Sequence, residues 1–331
     1  MSTDLKREPC EKYNDRHTGR YGYITVFGAA NIDIGGKPYK KLVARDSNPG
    51  QVRSAPGGVG RNIAHNLSLL GNQVKFISAF GDDAYAVLLL DSCKRAGIDT
   101  SESCFCAQDS TSVYLFITEE DGNMELAVND MDIYKKLTPS FVREKSEVLA
   151  DSRLVVVDAN LPEDTIEAVC KLSRCPVIAE SVSCSKAVKF KSVLPFIHTI
   201  TGNYLEAEVL SGIKIDPDDM DSLKTAADRL LKEGAERVVI TLSARGAFFA
   251  DKDAAKKLLP IPAQMVNGNG AGDALLSGLI TGYALDMSFE DSMMLGMAVA
   301  GITLETDKTN NPALCLGSAI KRAGIRLEQD R

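Results

Sequence analysis

The residues best equipped for chemistry stand in one run, Asn267-Gly268-Asn269-Gly270-Ala271-Gly272-Asp273, immediately ahead of Leu275, Leu276, Leu279, Ile280, Tyr283 and Ala284. That apolar spacing is helical, so the small residues fall where a helix begins and its first amide N–H groups lack an internal acceptor. Free amides and the positive end of a helix dipole attract an anion. Asp273 adds a carboxylate among them. With a phosphate on the amides and a hydroxyl on the carboxylate, the run becomes a phosphotransfer site. The pattern alone leaves a plain helix start, with Asp273 near the N-cap, equally open.

Other polar groups stand where such a site would need them. Asn203 and Glu206 are three apart at the start of a segment that Gly212 closes. One helical face would carry both, and their oxygens can hold a hydrated Mg²⁺. The same spacing also fits an N-cap asparagine with a capping-box glutamate. Gly57 and Gly58 precede Arg61-Asn62 and a helical stripe of Ile63, Ala64, Leu67 and Leu70 that ends at Gly71. Paired glycines let a ligand lie against the backbone, with Asn62 reaching in from the first turn. Asn31 and Asp33 follow an apolar run from Tyr23, and Asn160 follows Leu154-Val-Val-Val. In doubly wound sheets ligands bind beyond the carboxyl ends of strands, although Asx residues also punctuate ordinary turns.

The elements that position these residues read as α/β. From Leu154 onward strands and helices alternate: Val177-Ile-Ala ends in Glu180, Ile197-His-Thr-Ile leads to Asn203, and Val238-Val-Ile-Thr-Leu leads to Ser243. Such alternation predicts parallel βαβ units. The run Tyr23 to Ile34 predicts a buried central strand, and Asp83 to Gly97 a helix. Residues 104–118 and 124–130 predict two strands joined at Glu119-Glu-Asp-Gly122, a hairpin signal. With 34–54 they would form a small sheet outside the main fold, serving as a lid. Residues 1–21 are polar and mixed in charge, and are expected to form a disordered or loosely packed extension ahead of one domain over 22–325.

Composition excludes several function classes. With 38 Lys and Arg against 45 Asp and Glu, the formal net charge is −7. No basic stripe offers a nucleic-acid surface. No apolar run reaches the ~20 residues that span a bilayer, and no signal-peptide core opens the chain. The eight cysteines, at 10, 93, 104, 106, 170, 175, 184 and 315, include no C-x-x-C pair. Reduced thiols in a cytoplasmic protein are the expectation. A dinucleotide-dependent dehydrogenase would carry G-x-G-x-x-G after its first strand, where this chain has Gly28-Ala-Ala-Asn-Ile-Asp33.

Together, Gly57-Gly-Val-Gly-Arg-Asn62, Asn203-Tyr-Leu-Glu206 and Gly270-Ala-Gly-Asp273 resemble the signatures of the PfkB, or ribokinase-like, carbohydrate kinases over residues 22 to 325. The segments Ala30-Asn-Ile-Asp33, Asp46-Ser-Asn-Pro-Gly50, Pro56 to Ala64, Asn129-Asp-Met131 and Thr309-Asn-Asn-Pro312 bring the likeness to the pseudouridine kinases of that family. The resemblance implies a three-layer α/β/α sandwich with a mostly parallel central sheet and a small β-sheet lid. It also implies phosphorylation of pseudouridine at its 5′-hydroxyl by ATP with Mg²⁺, and K⁺ as a candidate activator. Ribose, adenosine or another nucleoside is the alternative acceptor, and a weakly active nucleoside-binding protein the alternative class.

In that scheme Asp273 is the base, and the amides of Gly270, Ala271 and Gly272 are the anion hole. Asn203 and Glu206 organise Mg²⁺. Asn31, Asp33, Gly57, Gly58, Asn62 and Asn160 hold the sugar, while Asn129, with Asn48 and Tyr114, faces the base from the lid. Thr241, Gly246, Asn269 and Asn310 line the nucleotide. A homodimer through the lid is the implied assembly. The chain departs from the family pattern on the nucleotide side, with Ser243 at a glycine position, Glu180-Ser-Val-Ser183 for Asp-Pro-Val-Ser, Thr201-Gly-Asn203 for Lys-Pro-Asn, and Asn269 where a threonine is common.

Overall fold

Leu154-Val-Val-Val-Asp158 is buried along its whole length, and its alternate side chains feed two separate cores. Val155 and Val157 join Ile166, Val169, Leu210, Leu223 and Leu230 on one side. Leu154 and Val156 join Ile63, Leu67, Leu89, Leu276 and Leu279 on the other. A strand covered on both faces reads as a continuous apolar run, and that is the signature of a parallel sheet between helical layers.

The computed structural model describes residues 22–120 and 123–326. Its strands are β1 (Ile24–Phe27), β2 (Asn31–Pro38), β3 (Gly50–Gly57), β4 (Val74–Ile77), β5 (Ala79–Gly81), β6 (Cys104–Cys106) and β7 (Val113–Thr118). There follow β8 (Met124–Asp130), β9 (Leu154–Asp158), β10 (Val177–Glu180), β11 (Thr199–Asn203), β12 (Arg237–Thr241), β13 (Ala247–Asp251) and β14 (Ala255–Leu258). The large sheet has the order β14-β13-β12-β11-β10-β9-β1-β4. Its strands from β4 to β12 are parallel, and β13 and β14 are antiparallel. Helices Glu163–Leu172, Tyr204–Ser211 and Met220–Lys232 cover one face. Val59–Leu69, Ala84–Arg95, Ala271–Ala284 and Phe289–Thr303 cover the other. No helix among the described residues is long and apolar enough to cross a membrane.

A second sheet, β3-β2-β7-β8, stands apart from the first. Here the structure redraws two sequence expectations. The run from Tyr23 to Ile34 is not one strand: it breaks after Phe27, and β1 and β2 lie in different sheets. At the break the backbone turns its polar groups elsewhere, Ala29 N–H donating to Asp158 Oδ2 (2.8 Å) and Ala29 C=O accepting from Arg61 N–H (3.0 Å). The expected strand over 104–118 is also divided. Cys104–Cys106 pairs in parallel with β5, and only Val113–Thr118 joins the small sheet. The expected extension over 1–21 lies outside the described residues, as do Asp121 and Gly122 of the hairpin turn.

Cys93, Cys104, Cys106, Cys170, Cys175 and Cys184 are free thiols, as expected. Cys315 departs from that expectation, being disulfide-bonded.

The small sheet is fastened to the large one at its root. Just after β8 a 3₁₀ turn, Asp132–Lys136, carries Tyr134, which is almost fully buried and donates its hydroxyl to Ala30 C=O at 2.6 Å. One bond thus ties the exit from the small sheet to its entrance. Tyr134→Phe would leave that carbonyl buried without its partner, so the variant should lose about 1–2 kcal/mol of stability in urea unfolding.

Candidate active site

Every candidate polar group of the large sheet lies at the carboxyl ends of its parallel strands. Asp158, Glu180, Asn203 and Thr241 end β9, β10, β11 and β12, and the register sets Glu180 beside both Asp158 and Thr201, and Asn203 beside Thr241. That edge is where ligands bind in open α/β sheets. The helix Ala271–Ala284 meets it with its N-terminus, carrying Asp273 in the first turn.

Gly270 caps this helix in the left-handed region, and no side chain caps its amides. Open space surrounds the position a Cβ would take on Gly272. The terminus is therefore accessible to an anion. Asp273 is not the N-cap of the plain-helix alternative. Its Oδ2 instead accepts from Asn62 Nδ2 at 2.9 Å. Burial pushes its carboxyl up to about 7, against the Asn62 bond and the Arg61 charge, and Asp158 and Asp33 push it the same way. A carboxyl that titrates there can both take and release a proton near neutral pH.

Asn62 owes its place to the Gly57–Gly58 turn. Gly58 caps the helix Val59–Leu69 at φ 95°, and a Cβ on it would meet Ala29 O at 2.4 Å. A Cβ on Gly57 would meet Asp33 Oδ2 at 2.1 Å. Glycine at 57 lets the strand end lie against the Asp33 carboxyl, whose Oδ1 accepts from Asn31 Nδ2 at 2.6 Å. Burial raises the Asp33 pKa, with Asn31 and Arg61 opposing. Asn31, Asp33, Gly57, Gly58, Asn62 and Asp273 thus form one connected group of acceptors and donors, suited to a polyol.

Asp158 holds the floor, accepting from Ala29 N–H and Asn160 N–H, each at 2.8 Å. Asn160 Oδ1 accepts from Lys186 Nζ. Nothing in the sequence signals Lys186, since its contact with Asn160 depends on the fold. Asn129 pairs with Tyr114 across β8 and β7 and is exposed, on the same sheet face as Asp33. Asn48 is committed within its own turn, accepting from Val43 N–H at 2.8 Å and donating to Val43 C=O and Asp46 C=O.

At Asn203 the capping box forms. The side chain accepts from Leu205 and Glu206 N–H, while Glu206 accepts from Asn203 N–H (2.9 Å) and Nδ2 (2.6 Å). The cap and the metal reading therefore share the same atoms, which favours holding an ion through water. Glu180, flanked by Glu206 and Asp273, is pushed up to about 8 by burial and by both of those charges, with Thr201 opposing. Among the described residues no group of three or more acidic, His or Cys side chains is arranged to hold a metal ion directly.

The structure separates the residues expected to line a nucleotide. Thr241 ends β12 and Gly246 closes the short turn after it, and Asn269 is exposed beside the helix terminus, its N–H donating to Asn267 Oδ1 at 3.0 Å. Asn310 is turned inward. Its Oδ1 accepts from Arg61, and its Nδ2 donates to Asn62 O (3.0 Å) and Asn66 Oδ1 (2.8 Å). Ser243 adopts φ 53° and Val182 φ 64°. Both occupy the left-handed region that favours glycine, and both belong to segments that depart from the expected motifs.

Residues 22–314 match the pfkB family carbohydrate kinase model. The chain belongs to the pfkB family. Among its relatives, a pseudouridine kinase of Escherichia coli (strain K12) is 34% identical over 300 residues, 90% of this chain and 95% of the relative. A guanosine-inosine kinase of Exiguobacterium acetylicum is 27% identical, covering 84% of this chain and 92% of the relative. The fold matches a ribokinase of Arabidopsis thaliana, solved with ribose and ATP, at a TM-score of 0.85 and 18% identity, over 92% of this chain and all of that one. This pfkB chain is thus a sugar or nucleoside kinase, and the family implies ATP use with Mg²⁺ generally needed.

The raised Asp273 pKa has a consequence for stability. In the unfolded chain the group titrates near 3.8, and in the fold near 7. The stability it contributes is fully present below about pH 3.8 and is lost as pH rises through 7. Without ligand or metal, Asp273→Asn should exceed the wild type by about 1–3 kcal/mol in urea unfolding at pH 8, and the gap should close towards pH 4.

Proposed function

We propose that this chain transfers the γ-phosphoryl group of ATP to the 5′-hydroxyl of pseudouridine, giving pseudouridine 5′-phosphate. The observation that carries the reaction is Asp273 in the first turn of a helix with an accessible N-terminus, its carboxylate held by Asn62. Asp273 accepts the hydroxyl proton as the new O–P bond forms, and the bond from the γ-phosphorus to the bridging oxygen breaks, releasing ADP. The amides of Gly270, Ala271 and Gly272 stabilise charge on the transferring group. Asn203 and Glu206, with Glu180 beside them, would hold a Mg²⁺ ion through water, and the ion would supply neutralisation of phosphate charge.

Asp33 and Asn31, with Asn62 and the backbone at Gly57 and Gly58, grip the sugar hydroxyls. Asn160, held by Lys186, stands beside Asp158 at the same strand edge, and Asn129 and Tyr114 approach the nucleobase from the lid. Thr241, Gly246 and Asn269 line the nucleotide, Asn310 acts there through Arg61, and K⁺ is the proposed activator. One kinase domain over 22–325 carries β2, β3, β7 and β8 as a lid that excludes water on closure. The proposed compartment is the cytoplasm, for which the free thiols among the described residues speak and the bonded Cys315 does not.

Pseudouridine as acceptor rests on similarity to the Escherichia coli relative. A purine nucleoside is the second reading, supported by the guanosine-inosine kinase relative, and ribose is the third, supported by the ribokinase fold. The test is ADP formation with ATP, Mg²⁺ and K⁺ over pseudouridine, uridine, inosine, adenosine and ribose. Turnover selective for pseudouridine is expected, and selective turnover of another acceptor would replace it. Asp273→Asn should lower kcat by about 10³-fold or more with nucleoside binding retained. Asp33→Ala should raise the acceptor KM first. A silent panel with measurable nucleoside binding would mean a binding-only protein.

The outer face of the lid supports a homodimer. Val52, Val128, Leu126 and Leu115 are 76, 62, 50 and 39% exposed on one side of the small sheet. Sedimentation should give a dimer that Leu126→Glu converts to monomer; a monomeric wild type would refute the assembly.

A further inference from the structure

Arg61 is 3% exposed, yet among the described residues every group that accepts from its guanidinium is neutral. Nε donates to Gly57 O at 3.0 Å, and NH1 lies 3.4 Å from His65 Nδ1. NH2 faces three oxygens: Pro56 O at 2.9 Å, Asn310 Oδ1 at 3.1 Å and Asn62 Oδ1. A buried guanidinium is ordinarily paired with a carboxylate. Here the carboxylates whose charge it feels, Asp33 and Asp273, act from beyond hydrogen-bond contact.

The partners belong to three separate segments. Pro56 and Gly57 end the lid strand β3, Asn310 belongs to the loop after the helix Phe289–Thr303, and Asn62 holds Asp273. Because Asn62 Oδ1 is taken by Arg61, its Nδ2 is the end presented to Asp273. NH2 has two hydrogens for three oxygens. A shift of β3 or of the 306–312 loop changes which acceptors it serves, and so how firmly the Asn62 amide is held.

We propose that Arg61 is a positioning residue that orients the Asn62 amide towards Asp273 and couples that contact to the lid strand and the 306–312 loop. The inference rests on the kinase reading above. The charged and titratable groups around the pair are His65 on its own helix, Asp33 on β2, Cys93 on the helix Ala84–Arg95, Asp158 at the end of β9, and Asp273. His65 is held neutral near pH 7, since burial and Arg61 lower its pKa to about 4.

The test compares Arg61→Met and Arg61→Lys in steady-state kinetics and by carboxyl-detected NMR titration of Asp273. Arg61→Met removes both fork and charge. Its kcat should fall about 10–100-fold with the acceptor KM within threefold, and Asp273 should titrate about one unit higher. Arg61→Lys keeps the charge but not the fork. Its kcat should stay at least tenfold low while the Asp273 titration returns towards the wild type.

Wild-type kcat in Arg61→Lys, or a wild-type Asp273 titration in Arg61→Met, would overturn the inference. If Arg61→Met does not fold, the kcat of Arg61→Lys decides. A wild type silent on every acceptor would refute the kinase reading; the NMR arm would still test the coupling.

Discussion

A carboxylate serves as a base only while ionised, and Asp273 sits where burial, Asp158 and Asp33 all resist ionisation. The opposing influences are one hydrogen bond from Asn62 and the field of one buried guanidinium. That balance sets its titration near 7. Much of the surrounding architecture serves to keep it in place. The Gly57–Gly58 turn lets Asn62 approach, Asp158 pins the chain at Ala29, and the helix Ala271–Ala284 is anchored by apolar side chains in the second core.

The parallel sheet explains how so many carboxyl groups come together. Strands running one way end on one edge, so Asp158 and Glu180 emerge side by side, with Glu206 in the helix that Asn203 caps at the end of β11. Burial is the main reason that Glu180 and Asp273 hold their protons, with Glu206 and Asp273 adding to it at Glu180, and Asp158 and Asp33 at Asp273. A cation at this edge would offset what the neighbouring charges add. Magnesium and nucleotide binding would then recover free energy that folding had to expend on crowding charge.

Local chemistry was legible in the sequence, and long-range partnership was not. Glycines at 270 and 272 before an apolar helical stripe announce an accessible helix start, since both signals lie within a few residues. At Asn203 and Glu206 the structure forms the capping box, the local alternative that their three-residue spacing also offers. The strand over 104–118 was drawn too long because periodicity cannot tell which sheet a strand joins. Nothing local to Arg61 signals its buried network, and the motif around Asn310 points to a nucleotide and not to Arg61. Their meeting spans 249 positions of sequence. Tertiary packing alone revealed it.

The paired strands β2 and β3 leave the body at Asn31 and Gly57, beside Asp33, and run eight residues each to Pro38 and Gly50. At ~3.3 Å per residue this ribbon is roughly 26 Å long. Pivoted at its root, it works as a lever: a tilt of about 10° there would sweep the far end by about 4–5 Å, while Asp33, close to the fulcrum, would move by only a fraction of that. Wide travel at the rim and near-stillness at Asp33 thus follow from one piece of geometry.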